Sequence, residues 1–292
     1  QPLTRVEMQN KILNNSDFEL KTYATEAIDI LCNGSYLIDP DTFNPTERNS
    51  RNNLFYNLNG ISPLLANQKI NSKHVCIIGA GGIGNYVASS LIGFGIGKIT
   101  IVDDDLIEAS NLSRQIMFTE KDIGQSKVEK LVNALHERNS KTKIHGIVKK
   151  LESPKSFFDL PESDLIILSA DSPSNICYFA NKYSIQTGTP FLNVGYVMDV
   201  AVWGPFVIPG KTGCMRCQQI FASQNHIDSE LQTKLQEISA DFRPPSVGPI
   251  NMLSAAMATL DAIRFLGEFG EIASKNKRVG LWTHSLKIET QN

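Results

Sequence analysis

Val75-Cys76-Ile77-Ile78-Gly79-Ala80-Gly81-Gly82-Ile83-Gly84 is the stretch that decides the fold. Four apolar residues of strand length run without a spacer into a glycine cluster, and the apolar spacing that follows reads as a helix. A G-x-G-x-x-G pattern is meaningful in this context. Its glycines permit a tight turn and let backbone N–H groups approach a phosphate at a helix N-terminus. A second strand, Ile99-Thr100-Ile101-Val102, closes one βαβ unit and runs into Asp103, where a carboxylate can accept hydrogen bonds from ribose hydroxyls. The pattern therefore predicts an α/β domain with a nucleotide site. The competing reading is a glycine turn kept only for packing.

Further βα units follow. Val128, Leu131, Val132 and Leu135 recur at helical spacing, and Lys143 to Val148 reads as a strand. Asp164 to Asp171 reads as a buried parallel strand with a carboxylate at its carboxyl end, the end at which such sheets bind ligands. After Thr189-Pro190 come β-rich runs, Phe191 to Val194 and Val200 to Ile208. A polar helix (Ser229 to Ser239), a proline-rich loop (Arg243-Pro244-Pro245) and a small-residue helix (Met252 to Leu266) complete the pattern. Ahead of it, an amphipathic stretch, Phe18 to Leu31, leads into the turn signals Asn33-Gly34, Asp39-Pro40 and Asn44-Pro45-Thr46. We expect residues 1–47 to form an accessory segment and 48–292 the main domain.

The 292 residues, 41% hydrophobic and 20% charged, suffice for one sizeable core with length to spare. A net charge of -2 without a basic block lacks the electrostatic footprint of nucleic-acid binding. Five cysteines, at 32, 76, 177, 214 and 217, are an odd number in a chain too large to need disulfide staples, which points to a reducing, cytoplasmic setting. The apolar runs are of strand length rather than membrane length. The chain opens at Gln1 without a methionine, so residues beyond one or both ends are expected.

The glycine loop alone does not name the nucleotide. Beyond it, however, the second strand leads into Asp103-Asp104-Asp105, then Asn111-Leu112-Ser113-Arg114-Gln115, then Lys127. These residues deliver cations and amides to the phosphate end, as a triphosphate-cleaving site requires. Gly79 to Gly84, Asp103-x-Asp105, Asn111 to Gln115, Lys127 and Ala170-Asp171, in that order, resemble the E1-like (ThiF/MoeB-type) adenylating superfamily. The resemblance covers about residues 48 to 290 and implies the Rossmann-like, doubly wound sheet of that family's adenylation domain. Gly195-Tyr196-Val197, Gly204-Pro205, Val207 to Cys214, Asn276-Lys277-Arg278 and Lys287-Ile288 resemble its microcin C peptide-adenylating branch. That branch implies a homodimer and an N-terminal clamp for a ribosomal precursor peptide, of which the segment before Arg48 would be a remnant.

Carboxylate attack on the α-phosphorus of ATP is a problem of positioning and charge stabilisation. Arg114 through a planar fork and Lys127 as a point charge would hold phosphate oxygens; either could instead be a solvated surface charge. Asp171 is the candidate ligand for Mg2+, with a helix N-cap as its ordinary alternative. Gly79, Gly81, Gly82 and Gly84 would cradle the nucleotide, and Asn111 and Gln115 would anchor it. Asp103 would take the ribose, while Asp105 would orient phosphates or face water. The resemblance makes Arg51, in Glu47-Arg48-Asn49-Ser50-Arg51-Asn52, an arginine reaching a nucleotide site, often that of the partner subunit. Cys214-Met215-Arg216-Cys217 has the spacing of half a structural zinc site, which in the family a second C-x-x-C completes. No second pair is present, so either that pair lies beyond Asn292 or the two thiols are simply buried. Cys177, among Ile176, Tyr178 and Phe179, reads as an inert thiol.

The leading reading is adenylation of a precursor-peptide carboxylate during peptide-antibiotic biosynthesis. That carboxylate is either a C-terminal Asn, as in microcin C, or a Glu side chain for cyclisation, as in the pantocin type. Activation of a sulfur-carrier protein's C-terminal Gly is the alternative within the superfamily. A nicotinamide oxidoreductase and a catalytically dead peptide-binding subunit are the readings from other classes.

Overall fold

In the computed structural model, residues 44–217 and 245–291 are described, together with the helix Phe18–Asn33 and positions 7, 10, 11 and 14. The polar helix expected at Ser229 to Ser239 and most of the proline-rich loop lie outside the described residues. The chain forms two compact units, residues 1–69 with 267–270, and residues 70–266 with 271–292.

The smaller unit contains helices α1 (Phe18–Asn33), α2 (Ser50–Leu58) and most of α3 (Pro63–Asn71). Its core is aromatic, with Tyr56 fully buried and Phe269 standing edge-on to both Tyr56 and Phe55. Asn67 donates to Asn53 at 2.8 Å and so ties α3 to α2.

The larger unit is built on one eight-stranded sheet. Its elements in chain order are β1 (His74–Ile78), α4 (Gly82–Gly93), β2 (Lys98–Asp103), α5 (Lys127–Arg138), β3 (Lys143–Val148), β4 (Leu165–Leu168), α6 (Ile176–Thr187), β5 (Phe191–Val197), β6 (Val200–Val207), α7 (Gly248–Gly267), β7 (Arg278–Trp282) and β8 (Ile288–Gln291). The strand order is β3-β2-β1-β4-β5-β6-β7-β8. The pairs from β3 to β5 are parallel, and those from β5 to β8 are antiparallel. Every residue of β1 and β4 is buried, as expected of strands covered on both faces. The strand order reverses between β1 and β4, so the crevice at their carboxyl ends is where such a sheet takes a ligand.

The sequence periods account for most of this. Val128, Leu131 and Leu135 form the buried face of α5, and Ser126 caps the helix by accepting from Glu129 N–H. That face lies on β3 at Gly146, where a β-carbon would come within 2.6 Å of Val128 Cγ1. The structure corrects two of the expected boundaries. The fourth strand stops at Leu168, because Ser169 turns its hydroxyl to the carbonyls of Ile78 and Gly79, both at 3.1 Å; Asp171 is thereby carried into the following loop. The small-residue helix starts four residues before Met252, at Gly248. Strands β7 and β8 were not anticipated from the sequence.

Gly146→Val should overpack the α5–β3 contact and cost about 1–3 kcal/mol. Urea denaturation should show a lower midpoint with an unchanged slope.

Candidate nucleotide site

The carboxyl edge of the parallel strands opens into a cavity of about 450 Å3. Its walls are the glycine loop (Gly79, Gly81, Gly82), the end of β2 (Asp103, Asp104, Asp105), Arg114 and Gln115, Lys127, and the loop after β4 with Asp171. Residues distant in sequence thus meet because each follows the end of a neighbouring strand. By strand order, Asp103 (β2), the glycine loop (β1), Asp171 (β4) and Tyr196 (β5) succeed one another across the sheet. At ~4.8 Å per strand they span roughly 14 Å.

The glycine loop is shaped by close approach. Gly79 has φ +102°, and a β-carbon there would lie 2.9 Å from the Ala170 nitrogen. A β-carbon on Gly84 would run into the Gly79 carbonyl. Asn85, fully buried in the first turn of α4, donates to the carbonyls of Ala80 at 2.8 Å and Gly81 at 3.1 Å, and accepts from Met117 N–H at 3.1 Å.

Asp103 accepts from Ala80 N–H at 2.6 Å and from Asp105 N–H at 2.8 Å. Burial pushes its pKa above the usual carboxylate value, against the pull of those two donors and of Lys127. Lys127 is buried, and its ammonium lies 2.6 Å from Asp105, which remains mostly exposed. That ion pair holds a cation at the cavity wall, where an incoming anion can compete for it. Arg114 donates to the Ser110 carbonyl at 2.9 Å. Gln115 is 2% exposed, and its buried Oε1 has no partner, a polar atom left for a ligand or a water.

The expected site residues therefore divide. Gly79, Gly81, Gly82, Asp103, Asp105, Arg114, Gln115, Lys127 and Asp171 line the one cavity. Gly84 lies beneath it, packed on Gly79. Asn111 is buried and accepts from Glu108 N–H at 3.1 Å, which braces the loop that carries Arg114 and Gln115. Asp171 is exposed on its loop, and the N-cap of α6 is Asn175, so Asp171 does not cap that helix. Arg51 is exposed on α2, in the smaller unit.

Sequence reasoning missed Lys149, Lys150, Ser246 and Asn251, which also line the cavity. Lys149-Lys150 directly follows β3, next to β2, so the carboxyl-end rule would have found these lysines once the strand order was known. Lys149 pairs with Asp159 and Lys150 with Glu152. Asn251 is buried over Gly82 and has one unpartnered oxygen.

The metal candidates can be tested on their donors. Asp103, Asp104 and Asp105 bring carboxylate oxygens within 4.8 Å of one another, and Asp171 adds a carboxylate to the same cavity; such hard oxygen donors suit Mg2+. Cys214 and Cys217 have sulfurs 3.6 Å apart, close to the ~3.8 Å between two thiolates on one tetrahedral zinc. No third ligand joins them among the described residues. Cys177 donates to Asn193 at 3.2 Å, and burial pushes its thiol pKa up.

The sequence model of the ThiF family matches residues 53–291. The chain belongs to the ThiF family. It is 31% identical over 228 residues to the adenylyltransferase and sulfurtransferase MOCS3 of Arabidopsis thaliana, covering 74% of this chain and 46% of that protein. It spans about half or less of the length of the curated relatives it matches. The crystal structure of E. coli MccB with ATP superposes with a TM-score of 0.84 at 35% identity, over 97% of this chain and 82% of that one. The Microcin C7 biosynthetic enzyme MccB in complex with N-formylated MccA gives a TM-score of 0.86 at 36% identity, over 97% of this chain and 82% of that one. Among the described residues no helix is long and apolar enough to cross a membrane.

The raised pKa of Asp103 has a defined sign. The native state keeps this proton to higher pH than the unfolded chain does. The carboxyl therefore costs nothing below the unfolded value, and stability is lost as pH rises through the folded one. In a carbon-13 NMR pH series its midpoint should lie above 3.8; a value at or below that would mean that the two N–H donors outweigh burial.

Proposed function

We propose that the protein is an ATP-dependent adenylyltransferase that activates a carboxylate of a ribosomally made peptide. The observation that carries this reading is the convergence of the glycine loop, Asp103, Arg114, Lys127 and Asp171 on one cavity. A nicotinamide oxidoreductase would leave the last three without a shared purpose.

The order of strands supports an order of tasks. Asp103, at the β2 end, accepts from the ribose hydroxyls, and the helix N-terminus at Gly82 takes phosphate oxygens. Arg114 and Lys127 neutralise the triphosphate, Lys127 exchanging Asp105 for a phosphate oxygen. The acceptor carboxylate approaches from the β4–β5 side, past Asp171 and Tyr196, in line with the departing pyrophosphate. Mg2+, held by Asp171 and the phosphates, would supply further charge neutralisation where two anions meet. Activation proceeds by positioning and electrostatics, with no covalent bond to the protein.

The peptide acceptor is supported by the likeness to MccB, which has been solved with MccA, at about 35% identity over nearly the whole chain. On this reading the product is a nucleotidylated C-terminal Asn or a cyclised Glu. Activation of a sulfur-carrier protein's C-terminal Gly is the second reading, favoured by relatives such as the sulfur carrier protein ThiS adenylyltransferase of Bacillus subtilis. A homodimer in which Arg51 serves the partner's site, and a structural zinc on Cys214 and Cys217, belong to the same proposal. The four described cysteines are unpaired thiols, which supports a cytoplasmic setting.

The test is mass spectrometry of short synthetic peptides ending in Asn, Glu-containing peptides and a Gly-Gly-ended carrier, each incubated with the protein, ATP and Mg2+. Nucleotide addition or loss of water on a peptide supports the proposal, and reaction of the carrier alone favours the second reading. Asp171→Ala should cut turnover about a hundredfold or more without lowering the melting temperature, because the side chain is exposed. Full turnover in that variant would remove Asp171 from the chemistry.

A further inference from the structure

We propose that Asn85 is the positioning residue that shapes the phosphate site, setting its backbone half and its charged half at once. This rests on the reading of the cavity as an ATP site. Asparagine is a poor interior helix residue, and burying a carboxamide is costly unless its groups are paired. Asn85 is nevertheless fully buried in the first turn of α4, and both ends of its side chain are bonded.

The bonds decide where the loop's N–H groups point. Asn85 Nδ2 holds the carbonyls of Ala80 and Gly81, at 2.8 and 3.1 Å, on the helix side of the loop. Both following peptide bonds are trans, so the N–H groups of Gly81 and Gly82 point the opposite way. Both glycines line the cavity, and neither N–H is taken by an acceptor among the described residues. The N–H of Ala80, by contrast, is already used by Asp103. Among the described residues the Gly81 N–H is thus oriented through the Asn85 side chain alone, whereas the Gly82 N–H is also set by the helical bond from Asn85 N–H to the Gly81 carbonyl at 3.0 Å.

The other end of the side chain reaches the cations. Asn85 Oδ1 accepts from Met117 N–H at 3.1 Å, which pins the turn that presents Arg114 and Gln115. One carboxamide thus fixes the distance between the helix N-terminus and the guanidinium that share the triphosphate. Serine at this position could still bond the Gly81 carbonyl one turn back, but would lose the bonds to Ala80 and Met117. Alanine would lose all three.

The experiment is calorimetric titration of the full chain with ATP and Mg2+, and separately with adenosine, for wild type, Asn85→Ala, Asn85→Ser, Arg114→Ala and the Asn85→Ala/Arg114→Ala double variant. Asn85→Ala should weaken ATP tenfold or more while adenosine stays within twofold, and Asn85→Ser should fall between. In the double variant the combined loss should be smaller than the product of the single losses, since part of the effect of Asn85 is exerted through Arg114. ATP affinity within twofold of wild type in Asn85→Ala, or equal weakening of ATP and adenosine, would overturn the proposal. If Asn85→Ala does not fold, the Ser variant carries the same comparison of ATP with adenosine. Wild-type protein that does not bind ATP would overturn the adenylyltransferase reading itself, which is a separate failure.

Discussion

Where β1 turns into α4, the backbone of Gly79 lies against the backbone of Ser169 and Ala170, with no volume for a β-carbon between them. This close approach brings the ends of two adjacent parallel strands together. The Ser169 hydroxyl reinforces it through the Ile78 and Gly79 carbonyls. Because the contact lies where the strand order reverses, the loops after β1 and β4 diverge from it and leave a crevice. The helix N-terminus at Gly82 and the carboxylate of Asp171 both line that crevice.

Electrostatically, the crevice places the acidic end of β2 against a basic wall. Asp103 accepts from the backbone N–H groups of Ala80 and Asp105, one on each carboxylate oxygen. Asp105 holds the Lys127 ammonium while itself largely exposed. A buried lysine with one exposed counter-ion can exchange that carboxylate for a phosphate oxygen without leaving a buried charge unpaired. The same wall includes Lys149 and Lys150, each paired with an acidic residue close in sequence.

Much of the fold was legible in the sequence where one period was sustained. Lys143–Val148 is a strand with the boundaries read from its pattern, and α5 buries the face that its spacing marked. Asp103 was legible too, because it sits at the tip of an apolar run beside a glycine loop. Asp171 was legible as a residue at the carboxyl edge of the sheet, where it lines the cavity, but not as a loop residue, since the bond that ends β4 comes from Ser169 to a strand distant in sequence. Strand β8 was not legible: all four of its residues are exposed, so no alternation records a buried face. Asn85 was hidden for a related reason. A polar residue in a largely apolar helix pattern shows neither its burial nor the three bonds that justify it.

The claim on which the account depends is that this crevice holds ATP with its ribose at Asp103 and its phosphates at the start of α4. A crystal structure with a non-hydrolysable ATP analogue and Mg2+ tests it most directly. The account predicts the ribose hydroxyls on Asp103, phosphate oxygens on the N–H groups of Gly81 and Gly82, and Lys127 and Arg114 turned to the triphosphate. An analogue bound elsewhere, or bound in this crevice with its phosphates away from the glycine loop, would contradict it.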